Sequence, residues 1–355
     1  MSSSSSDLPK KHKVWLLKTR PTDKSTPNEF ELTTRPTPTI DDLKEGQVLI
    51  KNTSLGNDPA QRLWMDGSID PKRLYIKPIL VGDAIRASTM GTVVLSKSNK
   101  WNVGDNVYGD GAWAEYSVVE DSGPLTGKEI NIQGQSPYLT NSILGLTGQT
   151  AWVGAFKEME LKPEHVLVVS GAAGAVGSTL IQIAKKVIGV RTVIGIAGGK
   201  DKCEWVKSIG ADDCVDYKDP NYPEHLKKLL PDYADRFFDN VGGEILDNML
   251  TLMKRHGFVS ICRAIAGYND EGMTLKHWGE LIYNRFTIKG MLIFDHTAVL
   301  DQAVSELTQW IRNGTISNTE SETIIEGKFE DIPEIYNKLF SGGNKGKLIT
   351  KLVSA

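Results

Sequence analysis

The chain has 355 residues, of which 40% are hydrophobic and 24% charged, as is usual for a globular protein. This length is too great for one ordinary hydrophobic core, so two domains are expected. A net charge of -3 gives no reason to expect nucleic acid or an anionic membrane as a partner. No apolar run approaches the roughly 20 residues that a membrane-spanning helix needs.

Cysteine and histidine usage argues against a disulfide framework and against zinc. The cysteines are Cys203, Cys214 and Cys262, an odd number without paired spacing, and the histidines are scattered along the chain. We therefore expect no metal site and a reducing compartment. The polar N-terminus has no apolar segment of a secretory signal, so the cytoplasm is predicted, and the lysines at its end leave the nucleus as an alternative.

The first third of the chain is predicted to be mostly β. Residues 1–12 form a serine-rich tail that we expect to be disordered. Residues 13–135 carry short apolar runs between closely spaced turn residues, without long helical periodicity, which indicates strands rather than helices. The runs are VWLLKT, QVLIKN, MGTVVLS and VGDNVYGDGAWAEYSVV.

Residues 136–310 alternate between apolar runs and helical segments, which predicts a doubly wound parallel sheet. Of six candidate strands, HVLVVS and RTVIGIA are continuous apolar runs, as expected when both faces of a sheet are covered, and DDCVDY is a weaker, short one. Between the first two, apolar residues recur at helical spacing and define one buried face. The candidate strands are HVLVVS, RTVIGIA, DDCVDY, RFFDNVG, GFVSICRAI and FTIKGMLIF, and the helical face is Val176, Leu180, Ile183, Ala184 and Val187.

The last segment, residues 311–355, again shows short apolar runs separated by turn residues. It contains ETIIEGKFEDI, a short helical stretch and then SGGNKGKLITKLV. We interpret this segment as rejoining the N-terminal β domain, so that the doubly wound domain is inserted between two parts of the other.

A glycine-rich turn follows the first of the six candidate strands. Gly171, Gly174 and Gly177 are spaced as G-x-x-G-x-x-G, directly after a strand and at the start of a helix. The first two glycines would let the backbone approach a pyrophosphate, and Gly177 would let the helix pack closely on the strand. The helix N-terminus adds free amide groups and a positive dipole. This context predicts a dinucleotide cradle.

The end of the next strand distinguishes between the two nicotinamide cofactors. A protein that binds NAD usually has an acidic residue about 20 residues after the turn, which accepts from the ribose 2′-hydroxyl. Here the strand ends at Ala197-Gly198-Gly199, and Lys200 and Lys202 flank Asp201 beyond it. An acid-free strand end followed by lysines favours a 2′-phosphate, and hence NADP.

Motifs along nearly the whole chain after the tail resemble one family. They are NDPAQR, GDNVYGDGAWAEYS, GQTAWVG, SGAAGAVGS, FDNVGGE, ICRAIAGYN, IKGMLIFDH and GNKGKLITK. In this order and spacing the sequence is similar to the zinc-independent medium-chain dehydrogenases/reductases, and within them to the 2-alkenal reductase and prostaglandin reductase family. The resemblance implies a GroES-like mostly-β domain plus a doubly wound Rossmann domain. It also implies NADP as cofactor and a homodimer joined through the Rossmann sheets.

The resemblance also implies roles for particular residues. Tyr268 is the expected catalytic residue, whose phenol would donate to the oxygen of an α,β-unsaturated carbonyl substrate while hydride adds to the β-carbon. Ala60 and Arg62 fall in the motif that lines the substrate pocket, where the family usually has tyrosine in place of Ala60. Positions expected to contact the cofactor are Thr150, Gly171, Gly174, Ala175, Val176, Gly177, Lys202, Tyr217, Asn240, Tyr268 and Asn344.

Several functions are compatible with these residues. The sequence favours an NADPH-dependent reductase of activated carbon–carbon double bonds. A quinone reductase or an allylic alcohol dehydrogenase of the same superfamily is an alternative. A non-catalytic NADPH-binding protein is another, because Ala60 and the bulky Arg263 depart from the family pattern.

Overall fold

The two ends of the chain form one unit and its middle forms another in the computed structural model. The structure describes residues 8–22, 25–268 and 274–353. The first unit comprises Met1–Asn141 and Glu322–Ala355, and the second comprises Ser142–Ser321. The sequence predicts these boundaries after residues 135 and 310.

The N-terminal part of the first unit is built from strands. β1 begins at Lys11, inside the segment predicted to be a tail, and His12 is buried there. β1 forms a two-stranded sheet with β2, and single antiparallel bridges join Val14 to Ala114 and Leu16 to Ala84. The elements are β1 (Lys11–Leu17), β2 (Phe30–Pro36), β3 (Gln47–Asn57), α1 (Ala60–Trp64), β4 (Arg86–Ser96), β5 (Asn106–Ala112), β6 (Tyr116–Glu120) and β7 (Gly127–Lys128).

The second unit confirms the predicted doubly wound parallel sheet. Its strands are β8 (Val166–Ser170), β9 (Thr192–Ala197), β10 (Asp213–Asp216), β11 (Ala234–Asp239), β12 (Met253–Ile261) and β13 (Thr287–Gly290). They lie in the order β10-β9-β8-β11-β12-β13, and every neighbouring pair is parallel. The helices are α2 (Leu146–Val153), α3 (Ala175–Gln182), α4 (Lys200–Ser208), α5 (Tyr222–Leu229), α6 (Gly243–Leu250), α7 (Gly279–Asn284) and α8 (Leu300–Arg312).

The C-terminal segment completes the sheet of the first unit. It contributes β14 (Glu322–Gly327), α9 (Ile332–Asn337) and β15 (Lys347–Leu352). The sheet order is β14-β15-β3-β4-β5-β7, with β6 also paired to β3. Aromatic packing also joins the C-terminal segment to the N-terminal strands. The ring centroid of Tyr336, in α9, lies 5.2 Å from that of Trp113. Trp113 is fully buried, so the core of this unit needs both ends of the chain.

Short helical turns of other types connect these elements. Two are π-helical continuations, Gly154–Glu158 after α2 and Ile183–Ile188 after α3. A π turn is wider than an α turn and changes which residues face the core. The predicted apolar face is buried as far as Ala184, whereas Val187, on the π turn, is half-buried. The 3₁₀ turns are Pro27–Glu29, Ile40–Asp42, Pro71–Arg73, Leu139–Asn141, Ile265–Tyr268, Ile293–Val299, Phe329–Asp331 and Lys338–Ser341.

The core of the second unit lies on both faces of its sheet. Every residue of β8 is buried, which is why its sequence is an uninterrupted apolar run. Val168 and Phe237, from the neighbouring strands β8 and β11, are fully excluded from solvent. This central pair of strands ends at Ser170 and Asp239, where the candidate site begins.

Among the helices of the described ranges, none has the length and apolar character needed to cross a membrane.

Candidate functional site

The glycine turn lies between β8 and α3, as its sequence predicts. Gly171 has a φ of +57°, a left-handed conformation that glycine adopts without the steric cost of a Cβ. The amide of Gly174 donates to the carbonyl oxygen of Gly171 at 2.9 Å, which closes the turn. Gly174 is then the N-cap of α3, with an extended backbone. The chain therefore reverses from strand to helix within four residues of backbone, from Gly171 to Gly174.

The start of α3 presents amide groups that its own backbone does not use. Residues in the first turn of an α-helix have no carbonyl four residues back within the helix, and here these are Ala175, Val176 and Gly177. The first backbone bond of this helix joins the amide of Ser178 to the carbonyl of Gly174 at 3.0 Å. Together with the helix dipole, these amides make the turn a favourable place for an anion such as a pyrophosphate.

Gly177 is required by close packing rather than by its dihedral angles. A Cβ at this position would lie 2.5 Å from the carbonyl oxygen of Gly171 and 2.9 Å from the Cα of Ala172. Both contacts are with backbone atoms, so neither can be relieved by turning a side chain. The third glycine thus allows α3 to approach the end of β8, which sets the shape of the turn.

A buried carboxyl group holds the turn from the neighbouring strand. Asp239 ends β11 and is fully buried. Its Oδ1 accepts from Ser170 Oγ at 2.6 Å and from the amide of Val241 at 3.0 Å, and its Oδ2 accepts from the amide of Gly242 at 3.0 Å. Burial raises the pKa of Asp239, and these hydrogen bonds act in the opposite direction. The carboxyl ties the ends of two adjacent strands together.

Asn240 completes this network and lines the turn. Its amide donates to Ser170 Oγ at 2.8 Å, and its side-chain Nδ2 donates to the carbonyl oxygen of Ser170, also at 2.8 Å. The Cβ of Asn240 lies 3.2 Å from where a Cβ of Gly171 would be. The structure therefore places Asn240 beside the predicted cradle, although its role there stays a prediction. Asp239 and Ser170 are polar partners that sequence reasoning missed, because 69 residues separate them.

The end of β9 brings a second group of predicted residues together. A Cβ at Gly198 would lie 2.8 Å from atoms of the Tyr217 ring, so the ring packs directly on this glycine. The Tyr217 amide donates to the carbonyl of Ala197 at 3.0 Å, while its side chain is 44% exposed. Lys202, half-buried, lies in the first turn of α4, which begins directly after Gly199. A tyrosine and a lysine thus flank the acid-free strand end.

A carboxylate that the sequence interpretation overlooked lies near this strand end. Asp216 ends β10, the strand beside β9. Its Oδ1 accepts from the amide of Gly199 at 2.7 Å and from the amide of Lys218 at 2.9 Å. These hydrogen bonds hold the loop before α4, so the Asp216 carboxylate binds backbone amide groups there. β9 itself ends without an acidic residue, and the carboxylate beside its end belongs to the neighbouring strand.

Other predicted residues have their own local partners. Thr150 in α2 is buried and its Oγ1 donates to the carbonyl of Leu146 at 2.7 Å. Tyr268 ends the 3₁₀ turn after β12, and its side chain lies outside the described residues. Cys262 and Arg263 precede this turn, and burial raises the pKa of the Cys262 thiol to about 11 against the opposing charge of Arg263. Arg263 is half-buried.

The remaining predicted residues belong to the first unit. Ala60 is 6% exposed and packs in the apolar cluster that contains Trp113. Arg62 is 2% exposed, and its Nη1 lies 3.1 Å from Oδ2 of Asp66, one helical turn later. Asn344 is half-buried, and its Nδ2 donates to the carbonyl oxygen of Gly346 at 2.8 Å. Among the described residues, no group of three or more His, Cys, Asp or Glu side chains could hold a metal ion.

Comparison with known proteins defines the class. Residues 13–126 match the family model described as the N-terminal domain of oxidoreductases, and residues 175–311 match the one described as zinc-binding dehydrogenase. The chain is 33% identical over 369 residues to the uncharacterized membrane protein YML131W of Saccharomyces cerevisiae, with 96% of this chain and 98% of that protein covered. It is 33% identical over 341 residues to prostaglandin reductase 1 of Oryctolagus cuniculus, which covers 94% and 92% of the two chains.

A solved structure agrees with these relatives. The crystal structure of CurA from Vibrio vulnificus in complex with NADPH superposes with a TM-score of 0.85 at 28% identity, covering 97% of this chain and 100% of that one. The fold and both family models define the chain as an oxidoreductase. More particularly, the chain belongs to the medium-chain dehydrogenase/reductase family, in the branch that includes the prostaglandin reductases.

We expect Gly177→Ala to destabilise the protein by about 1–3 kcal/mol, because the new methyl group would overlap backbone atoms of the turn. The measurement is urea denaturation without ligand. Gly343→Ala is the matched control, since a Cβ there would have no atom closer than 3.5 Å, an ordinary van der Waals contact. Equal stability of the two variants would show that the turn does not need this close approach.

Proposed function

We propose that this chain is an NADPH-dependent reductase of activated carbon–carbon double bonds, acting on α,β-unsaturated aldehydes and ketones. The observation that carries the proposal is the cradle at Gly171–Gly177, next to the end of β9, where Tyr217 packs on Gly198 and Lys202 lies in the first turn of α4. The complex of CurA with NADPH and the kinship with prostaglandin reductase 1 support it. Together they favour a reduced, 2′-phosphorylated dinucleotide and a conjugated carbonyl acceptor.

The residues of the second unit fit such a cofactor. The amides of Ala175 and Val176 would bind the pyrophosphate, because they lie at the positive end of α3, which Gly177 allows to begin close to the end of β8. Lys202 and Tyr217 would bind the 2′-phosphate by charge and by a hydroxyl hydrogen bond. When bound, the nicotinamide supplies a hydride. The protein must then orient the acceptor and stabilise the negative charge that develops on its carbonyl oxygen.

We assign to Tyr268 the role of stabilising the negative charge on the carbonyl oxygen of the acceptor. A phenol has a reference pKa of about 10, so at neutral pH it is protonated and able to donate a hydrogen bond to an enolate oxygen. Its position on the turn after β12 places its backbone beyond the carboxyl end of a sheet strand. In doubly wound sheets this is the edge at which ligands bind. Thr150, Asn240 and Asn344 complete the proposed set of cofactor contacts.

The acceptor pocket is proposed to include α1. Ala60 leaves more room than the tyrosine usual in the family, which favours acceptors with bulk near the double bond. Arg62 is buried and paired with Asp66, so in this proposal it supports the pocket wall by fixing α1.

We expect the protein to oxidise NADPH in the presence of enals and enones, and Tyr268→Phe to lower kcat about a hundredfold, as loss of one oxyanion donor does. The measurement is steady-state kinetics by nicotinamide absorbance, with NADPH affinity determined separately. Tyr233→Phe, at a tyrosine 50% exposed on the same unit, is the matched control.

Three outcomes would count against these assignments. Turnover of quinones alone would favour the quinone reductase. Tight NADPH binding without turnover of any acceptor would favour a non-catalytic protein. An unchanged kcat in Tyr268→Phe would remove this residue from the mechanism.

The proposed homodimer would form through the edge of the Rossmann sheet. β13 is the last strand in the sheet order, so its outer edge presents backbone groups that can pair with a second strand. Next to it in sequence, α7 and the residue before it expose large apolar side chains. Trp278 is 54% exposed, Ile282 74% and Tyr283 66%. A twofold axis at this edge would join two sheets and cover these side chains.

We expect Ile282→Asp to convert a dimer into a monomer, because it would place a charge in the apolar part of this contact. Light scattering after size-exclusion chromatography measures the mass, which for one chain is 39.1 kDa. Val81→Asp is the control, at an aliphatic residue 57% exposed in the other unit. A monomeric wild type, or a dimer that survives Ile282→Asp, would contradict this interface.

A further inference from the structure

A buried ion pair joins two of the motifs in the first unit. Lys347 Nζ lies 2.6 Å from Asp58 Oδ2, and the two side chains are only 3% and 6% exposed. Asp58 directly follows β3 and belongs to the NDPAQR motif, whereas Lys347 begins β15 and ends the NKGK sequence. The two strands are antiparallel neighbours, so these motifs meet at one end of the sheet.

The backbone beside the pair is shaped for the lysine. A Cβ at Gly56 would lie 3.2 Å from Cε and 3.3 Å from Nζ of Lys347, and 3.3 Å from Oδ1 of Asn141. The lysine side chain therefore runs along the surface that Gly56 leaves open on β3. Asn141 is itself held, because its Oδ1 accepts from Ser88 Oγ at 2.6 Å. The position of the ammonium group is thus fixed by packing as well as by charge.

On the β15 side the pair lies at the base of the loop that carries Asn344. The Asn344 side chain folds back onto the Gly346 carbonyl, and Gly346 has a φ of +61°. Lys345 is anchored to β14, since its amide donates to Thr323 Oγ1 at 3.0 Å and its carbonyl accepts from the same hydroxyl at 2.8 Å. The loop is therefore held at Lys345 by β14 and at Lys347 by Asp58.

On the β3 side the pair lies at the start of α1. The Asp58 amide donates to Gln61 Oε1 at 2.8 Å, and the Asp58 carbonyl accepts from the Gln61 amide at 3.1 Å. Gln61 Nε2 in turn donates to the carbonyl of Arg86 on β4 at 2.9 Å. Asp58 is thus part of the connection that fixes α1, and Ala60 with it, against the sheet.

A second ion pair on β15 differs from the Asp58–Lys347 pair in the exposure of its side chains. Lys351 Nζ lies 2.6 Å from Glu326 Oε1, but those side chains are 43% and 62% exposed. Exposed pairs of that kind contribute little to stability. A buried pair must repay the loss of hydration of both charges, and an apolar pair of similar volume often stabilises a protein as well or better. Stability alone therefore does not account for charges at Asp58 and Lys347, whereas a need for fixed geometry does.

We propose that Lys347 is a positioning residue of the reductase site, whose ion pair with Asp58 fixes Asn344 relative to Ala60. The inference rests on the proposed function, in which Asn344 contacts the cofactor and Ala60 lines the acceptor pocket. Lys347 acts through Asn344 and need not touch either ligand. Its loss should therefore weaken NADPH binding only as long as Asn344 is present.

The test is a double-mutant cycle on NADPH affinity, measured by calorimetry. We expect Lys347→Met to weaken NADPH binding about tenfold, Asn344→Ala to do the same, and the combined variant to be little weaker than either one. Lys351→Met is the matched control on the same strand and should bind NADPH like the wild type. Because one buried charge left alone can prevent folding, Asp58→Asn/Lys347→Met is measured in parallel. Thermal unfolding without ligand shows that each variant is folded.

The outcomes separate this inference from the proposed function. Absence of NADPH binding by the wild type would refute the proposed function. Wild-type binding with unchanged affinity in a folded Lys347→Met, or in the neutral pair, would refute only the positioning role. Effects of Lys347→Met and Asn344→Ala that multiply in the combined variant would refute it too, because Lys347 would then act independently of Asn344.

Discussion

The close approach of α3 to the end of β8 is the constraint on which the candidate site depends. It exists because Gly177 has no Cβ, and because the turn from Gly171 is held by hydrogen bonds from the adjacent strand. If α3 began further from the sheet, its free amides would point away from the strand ends. The chemistry proposed for the protein therefore starts from a packing condition at one residue.

Buried polar groups recur wherever the structure fixes a motif. Asp239 ties Ser170 to the amides after β11, and Asp58 ties Lys347 to the start of α1. In both cases the carboxyl group lies just at or beyond a strand end and has partners on a neighbouring segment. Such groups are costly when unsatisfied, so they select one arrangement of the chain and exclude near alternatives. They give the strand ends of each unit a defined arrangement.

Much of the fold could be predicted from the sequence, because its signals are local. All six runs of residues 136–310 overlap strands of one parallel sheet. The pattern is clearest in β8, where burial of every residue leaves an uninterrupted apolar run, and weakest in β13 at the edge, which is mostly exposed. The glycine turn could also be predicted, because its three glycines and the strand before them form a local signal. The π turns after α2 and α3 were not, because one widened turn changes the apolar spacing too little to be seen. The contacts of Asp239 and of Lys347 were hidden because their partners are distant in sequence.

The central claim is that the cradle and the acid-free end of β9 select a 2′-phosphorylated cofactor. Calorimetric titration of the wild type and of Lys202→Ala with NADPH and with NADH tests this most directly. We predict that the wild type binds NADPH at least about tenfold more tightly than NADH, and that Lys202→Ala loses most of this preference by weakening NADPH alone. Equal affinity of the wild type for the two cofactors, or tighter binding of NADH, would contradict the account.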